Sequence, residues 1–441
     1  MRRISFIVCL LLALARPGAA QAVDQTTRDL IQSLLTRIDT LEKRVSELEQ
    51  GTPPRTAASV VPTPAPAAAA APANAQTASV VAHMNHDQAP APDEAQPSYP
   101  SLKISGFGDI DYSGTDLHGA NGGFQPQTLL APHSGFEEGQ FVLHLSSALS
   151  PKVTVFSELS LTARSDAGTG TPPAPGFNIE LERLIVRYDL NDYFKLSFGR
   201  YHTPINYWNT AYHHGSWLQT SISRPEMVQF GGSFIPVHFV GAQAEGAIPA
   251  GGLNLNYNLG IGNGRGQVIS RDGDFSDINN NRAWLANLFV KPDFLYGLQV
   301  GASVYRDELN PISAPAAREW IRSAHIVWHR ENPEFIAEFA DVTHNPIKGG
   351  VTSNSQAGYA QLGYRLPGAA KLWKPYYRWE YIHVPQSDPI FKGIVPSYSA
   401  STAGVRYDIS NFAALKFEYR KYLRPDLPTI NGFFAQTSFT F

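Results

Sequence analysis

The chain has 441 residues, 17% of them charged and 43% apolar, with a formal net charge of −3. Charge is sparse for a soluble multidomain protein, where about a quarter is usual, whereas Tyr (19), Phe (24) and Gly (36) are plentiful. A mean hydropathy of −0.20 excludes a bundle of membrane-spanning helices, each needing about 20 nearly uninterrupted apolar residues. The near-neutral charge argues against bulk nucleic-acid binding, which leaves a basic excess.

Residues 1–22 read as a Sec-type signal peptide: Arg2 and Arg3 precede the apolar run Ile4–Ala15, and Gly18, Ala19, Ala20, Gln21 and Ala22 offer cleavage after Ala20 or Ala22. The single cysteine, Cys9, lies inside this leader behind Val8, where a lipoprotein signal wants a small residue. The mature chain is expected to lack cysteine and to fold without disulfides in an oxidising compartment. Losing Arg2, Arg3 and Arg16 from the 35 Lys and Arg leaves 32 against 38 Asp and Glu, a net charge of −6.

Over residues 23–50 the apolar positions step by three and four: Ile31, Leu34, Ile38, Leu41, Val45 and Leu48. This is a heptad seam, with Arg37, Glu42, Arg44 and Glu49 flanking it. An isolated helix of this length is marginal in water, so the seam asks for partner chains. Ile and Val at one core position with Leu at the other would by itself favour two strands. The stretches from Arg37 to Glu42 and from Arg44 to Glu49 both resemble the Arg-apolar-x-x-apolar-Glu signature of three-stranded coiled coils, and the resemblance implies a homotrimer. Residues 51–100, rich in Ala, Pro, Thr and Ser, bury too little to fold and read as a semi-rigid spacer. His83 and His86 in this tract lack the further ligands a metal site needs.

From residue 101 to 441 the pattern becomes period two, the mark of strands with two different faces. Leu102, Ile104, Ile110 and Tyr112 alternate with Lys103, Ser105, Asp109 and Asp111. Leu253, Leu255, Tyr257, Leu259 and Ile261 alternate with Asn254, Asn256 and Asn258. Ala360, Leu362, Tyr364 and Leu366 oppose Tyr359, Gln361 and Arg365. Tyr377, Trp379 and Tyr381 oppose Tyr376, Arg378 and Glu380, and Phe417 and Tyr419 oppose Lys416, Glu418 and Arg420. Short connectors near 150, 191, 250, 292, 332, 369 and 411 alternate with long ones near 113–136, 164–176, 202–235, 262–281, 307–318, 345–354, 385–398 and 424–431. Short turns on one rim and long loops on the other predict an all-β fold, a transmembrane antiparallel β-barrel of about sixteen strands with both ends on the short-turn side. In a β-sandwich the same Arg, Lys, Glu and Asn would be unsatisfied core residues, costing several kcal/mol per unpaired charge; a wide wet lumen removes that cost. Tyr188, Tyr193, Phe194, Trp284, Trp328, Trp373 and Trp379 fall near strand ends, as interfacial girdles do.

The last strand runs from Phe433 to a C-terminal Phe441, and this ending resembles the signal that outer-membrane barrels present to their assembly machinery. The layout as a whole resembles Gram-negative trimeric porins, in particular those with an N-terminal periplasmic coiled coil and the phosphate-selective porin O and P group. The resemblance implies a homotrimer in the outer membrane, in contact with lipid and passing small hydrophilic solutes, with the third outer loop narrowing the channel. That loop, 202–235, carries Tyr207, Trp208, Tyr212, His213, His214 and Trp217; the tryptophans are expected to pack on the wall and the Tyr and His side chains to meet solute. Inward positions carry Arg183, Arg187, Lys195, Arg365, Arg378, Arg406, Lys416 and Arg420 against Asp109, Asp111, Glu158, Glu380 and Glu418. This basic excess points to a mild anion preference, unless Arg378/Glu380 and Lys416/Glu418/Arg420 neutralise one another and leave a general pore.

No catalytic signature is present: there is no Gly-x-Ser-x-Gly elbow and no His-Glu-x-x-His helix. His144 and Ser146 share a strand face without a third orienting group. The glycines of 260–266 open no helix, and Asp272–Asp277 lacks calcium-loop spacing. The chain is therefore read as a non-enzyme without cofactor or metal. The competing readings are a tether to the cell wall and a barrel enzyme.

Overall fold

The computed structural model describes residues 99–116, 135–163, 170–173, 176–212, 215–229, 233–269, 279–425 and 427–441. The leader, coiled-coil and spacer assignments, including His83 and His86, lie outside the described residues, as do His213 and His214.

Sixteen strands close into one antiparallel barrel in which each strand pairs with its neighbours in sequence and β1 closes on β16. They are β1 (Ser101–Thr115), β2 (Gly135–Ser150), β3 (Val153–Ala163), β4 (Phe177–Asn191), β5 (Phe194–His202), β6 (His238–Ile248), β7 (Leu255–Asn263), β8 (Ala283–Val290), β9 (Leu298–Leu309), β10 (Ala317–His329), β11 (Glu334–Pro346), β12 (Ser353–Gly363), β13 (Trp373–His383), β14 (Tyr398–Ser410), β15 (Ala413–Arg424) and β16 (Leu427–Thr440). The fold class and strand number are those the sequence predicts. The even count puts Ser101 and Phe441 on the rim of short turns. Phe441 is tied there by its backbone N–H to the Gly106 carbonyl (3.1 Å), and its ring stacks on Phe141.

The distribution of polarity is inverted relative to a soluble protein. Outward-facing Leu102, Ile104, Ile110, Leu362, Trp379 and Phe433 are 47–67% exposed, whereas inward Glu319, Arg378, Lys416 and Ser438 are fully buried. The alternations quoted above thus turn their apolar members outward. Trp284 and Trp320 pack edge to face on the outer wall. Beyond them, towards the long-loop rim, the outward positions become polar, with Arg318 paired to Glu308 (3.9 Å). Among the described residues no helix is long and apolar enough to cross a membrane.

Seven connections on the loop rim are long or intermediate, and the eighth differs from expectation. Residues 424–431 were expected to form a long loop, but β15 and β16 run on to Arg424 and from Leu427, leaving two residues between them. The pairing Tyr422↔Ile430, followed by Arg424↔Leu427, carries this hairpin through a register shift.

Candidate functional site

The third loop, L3 (residues 203–237), joins β5 to β6 and folds into the barrel instead of standing above it. Its entry reverses at Asn206, whose φ of 61° lies in the left-handed region that Asn tolerates better than most side chains. The Asn206 N–H donates to Ser303 Oγ on β9 (3.0 Å). A one-turn helix, α1 (Trp208–Tyr212), follows. The carboxylate of Glu338 on β11 accepts the N–H groups of Tyr207 (2.8 Å) and Trp208 (2.6 Å), satisfying donors that a helix start leaves open.

A chain segment crossing a lumen must satisfy its backbone groups, and the wall supplies the partners. Basic wall residues take the loop's carbonyls: Arg406 Nη1 donates to Trp217 O (2.6 Å) and Gln219 O (3.1 Å), Lys416 Nζ to Ser216 O and Ser221 O, and Arg378 Nη1 to Ser223 O (2.8 Å). Acidic wall residues take its donors. Glu418 accepts Ile222 N–H (3.0 Å) and Ser223 Oγ–H (2.6 Å), Glu380 accepts Glu226 N–H (2.7 Å), and Glu334 accepts Thr220 Oγ1–H (2.7 Å). Asp109 accepts Ser216 Oγ–H from the other side of the barrel seam.

L7, between β13 and β14, also turns inward. Its Asp388 accepts N–H bonds from Ile390 (2.9 Å) and Phe391 (3.0 Å) and bonds His344 Nδ1 (2.9 Å) and Ser355 Oγ (2.7 Å). Phe391 packs on Phe234 of L3. Trp208, Ile235, Ile390 and Phe391 join Tyr305, Ile321 and Tyr422 of the wall in a dry core inside the barrel. Half-exposed inward side chains remain on the opposite wall, among them His144, Ser146, Phe156, Glu245, Asn256 and Asn258.

This arrangement corrects part of the expected pore lining. Arg378, Glu380, Arg406, Lys416, Glu418 and Arg420 face inward, but they are 0–8% exposed because L3 lies on them. Arg378 pairs with Glu380 (3.4 Å) and Arg420 with Glu418, the mutual neutralisation weighed above. Arg183, Arg187, Lys195 and Arg365 stay half-buried and less covered. Arg183 pairs with Glu158 (2.5 Å), Arg187 with Asp189 (2.7 Å) and Arg365 with Asp408 (2.5 Å). Within L3, Trp208 and Trp217 are packed away, and Trp217 lies under the Arg406 guanidinium. Tyr212, expected to meet solute, is 8% exposed against Trp208. Tyr207 is half-buried, its ring against His329, and Thr210 and Ser216 complete the less covered face. His144 bonds Glu158 (2.8 Å).

Sequence reasoning missed Glu338 and Glu334 as loop anchors. Only their inward alternation, Ile336 and Glu338 beside Ala337 and Phe339, could have found them. Burial, and then the charge of Glu380, pushes the Glu226 carboxyl of L3 well above its ordinary range.

No family model matches the chain, and no curated protein matches it. Its fold is that of solved outer-membrane porins. An anion-selective porin from Comamonas acidovorans superposes with a TM-score of 0.55 at 12% identity, over 78% of this chain and 100% of that one. Salmonella typhi OmpF, solved with daunomycin, superposes with a TM-score of 0.52 at 12% identity, over 77% and 97%. OmpT of Vibrio cholerae gives 0.52 at 10% identity, over 79% and 99%.

Proposed function

We propose that the protein is a porin of the Gram-negative outer membrane, a passive diffusion channel for small hydrophilic solutes that performs no catalysis. The observation that carries this reading is the pairing of an outward apolar wall with a closed inward polar one, narrowed by a loop anchored to that wall. Lipid meets the first surface without unsatisfied backbone groups, because every strand is paired. Water and solute meet the second. The porin-like fold of the solved structures above supports the same reading.

The finer assignments rest on the sequence. The seam of Ile31, Leu34, Ile38, Leu41, Val45 and Leu48 supports a homotrimer with its coiled coil in the periplasm, and Phe441 supports delivery by the barrel assembly machinery. Selectivity is mild, with a preference for anions. The ion pairs of Arg183, Arg187 and Arg365 cancel most of the wall charge. L3 has Glu226 as the acid among its described residues, and it is buried, so the less covered face of the loop opposes the basic wall with neutral groups. A phosphate-selective pore would want a denser ladder of uncovered cations than this wall holds. A cell-wall tether through the coiled coil and spacer is compatible with a channel and is separated from it by transport.

The deciding experiment is swelling of proteoliposomes in sugars and amino acids, with reversal potential in a salt gradient measured on the same preparation. Permeation with a small anion-directed potential is expected. Impermeable vesicles containing folded protein overturn the channel, and a strongly cation-selective potential overturns the selectivity.

A further inference from the structure

Where L3 leaves and re-enters the barrel, three potential metal ligands meet. Glu182 of β4, His202 at the end of β5 and His238 at the start of β6 each direct one ligand atom so that all three atoms lie within 4.8 Å of one another, and all three residues are buried. Two irregularities in the strands produce this meeting. A register shift at Glu158/Leu159 opposite β4 lets Glu182 face inward beside Arg183. Gly199, at φ 149°, turns the chain so that Arg200 and His202 follow Ser197 to the inside; an added Cβ there would collide with the Leu184 carbonyl oxygen.

We propose that Glu182, His202 and His238 form a divalent transition-metal site, of the Zn²⁺ class, that clamps the two ends of L3 to the barrel wall. Two imidazoles and one carboxylate are a ligand set that zinc and its neighbours accept, leaving a further position for water. The surroundings fit. Glu158 Oε2 lies 3.3 Å from His202 Nε2 and 2.5 Å from Arg183 Nε, and its Oε1 lies 2.8 Å from His144 Nε2, so Glu158 is the carboxylate partner that commonly orients a metal-bound imidazole. With Nε2–H given to Glu158, Nδ1 of His202 is the ligand atom.

His238 Nε2 stands 2.8 Å from Glu182 Oε2, the place a proton holds until a metal replaces it. His238 Nδ1 accepts from Arg200 Nη2 (2.9 Å), and the same nitrogen of Arg200 bonds Glu180 Oε1 (2.8 Å). Coordination at Nε2 moves the ring proton to Nδ1 and leaves Arg200 on Glu180. The carboxylates Glu158, Glu180 and Glu182 outnumber Arg183 and Arg200 by one, so a dication is not met by net positive charge.

The test uses the full chain, folded in detergent micelles and stripped of metal with a chelator. Zn²⁺ titration calorimetry and the visible absorption of Co²⁺ are followed on wild type, H202Q/H238Q and H83Q/H86Q, with folding checked by the mobility of unboiled samples on gels. One equivalent bound by wild type, lost in H202Q/H238Q and kept in H83Q/H86Q, is the expected result. Glu158→Gln, which leaves the ligands in place, is expected to weaken affinity by about ten- to a hundredfold and guards against misfolding of the double variant. An equivalent lost only in H83Q/H86Q, or wild type that binds neither metal, overturns the site. Because the readout is binding, the outcome is independent of whether the barrel conducts.

Discussion

Replacing Glu418 with alanine removes the densest anchor of L3. In the wild-type protein its carboxylate accepts the N–H of Ile222 (3.0 Å), the hydroxyls of Ser223 and Tyr376 (both 2.6 Å) and the guanidinium of Arg420, while Arg378 donates to the Ser223 hydroxyl (2.5 Å). Arg420 is 2% exposed and Arg378 is fully buried. Taking away one partner of a buried ion pair costs about 3–5 kcal/mol, because the remaining charge is stranded. The ladders of β15 with β14 and β16 are untouched, so the cost falls on docking of L3, whose release lets water reach the two arginines. At about 1.4 kcal/mol per factor of ten, the docked-to-released ratio falls by about two to three and a half orders of magnitude. In planar bilayers, E418A should show larger mean conductance and slow current steps as L3 moves. Glu418→Gln, which keeps one acceptor oxygen and loses the charge, should lie between. A folded E418A with wild-type conductance and wild-type noise refutes the claim that the wall charges hold the loop.

Four further outcomes follow from the same geometry. Trp208, fully buried against Tyr212 and Tyr359, should cost about 3–5 kcal/mol of loop docking on replacement by alanine, read as faster proteolysis within L3 on the intact barrel. Phe339→Arg places a charge on the outward face of mid-β11 and should destabilise the membrane-inserted barrel by about 2–4 kcal/mol in urea refolding into vesicles. Glu226 holds its proton more tightly when L3 is docked, so docking should be strongest below its ordinary pKa of 4.5 and weaken as pH rises above it; E226Q should flatten that dependence of conductance. Although burial alone would raise Asp388, its bond to His344 holds it below its ordinary 3.8, so L7 docking should be fully present above that value and be lost as pH falls below it, seen as added current noise near pH 3 that D388N shows at neutral pH.

The wall of this barrel is legible in the chain because its two faces meet different media. Leu259 and Ile261 against Asn256 and Asn258 cannot be read with any period but two, and parity alone puts residue 101 and Phe441 on one rim. Depth is not legible. Arg378 and Arg187 are both inward arginines in the alternation, yet one lies under L3 and the other does not, because L3 docks through backbone groups, short hydroxyls and tryptophans whose order along the loop carries no pattern of the residues it covers. Tyr212 is hidden for the same reason. Glu182 and His202 escape a strict alternation because the register shift at Leu159 and the turn of the chain at Gly199 change which face they occupy. The short β15–β16 hairpin is hidden by Pro425, Pro428 and Asn431, which look like residues of one long loop; Pro425 is in the tight turn, Pro428 falls at the register shift and Asn431 pairs with Lys421.

The order of strands also constrains biogenesis. Fifteen of the sixteen ladders join segments adjacent in the chain, but the seam from Phe107↔Thr440 to Thr115↔Gly432 joins the first strand to the last. Until β16 reaches β1, every partly paired sheet carries two unpaired edges and a greasy exterior, the two features that drive chains to aggregate. A chain cut within β16 leaves β1 from Phe107 to Thr115 without its partner and should yield a degraded polypeptide, not a slightly smaller barrel.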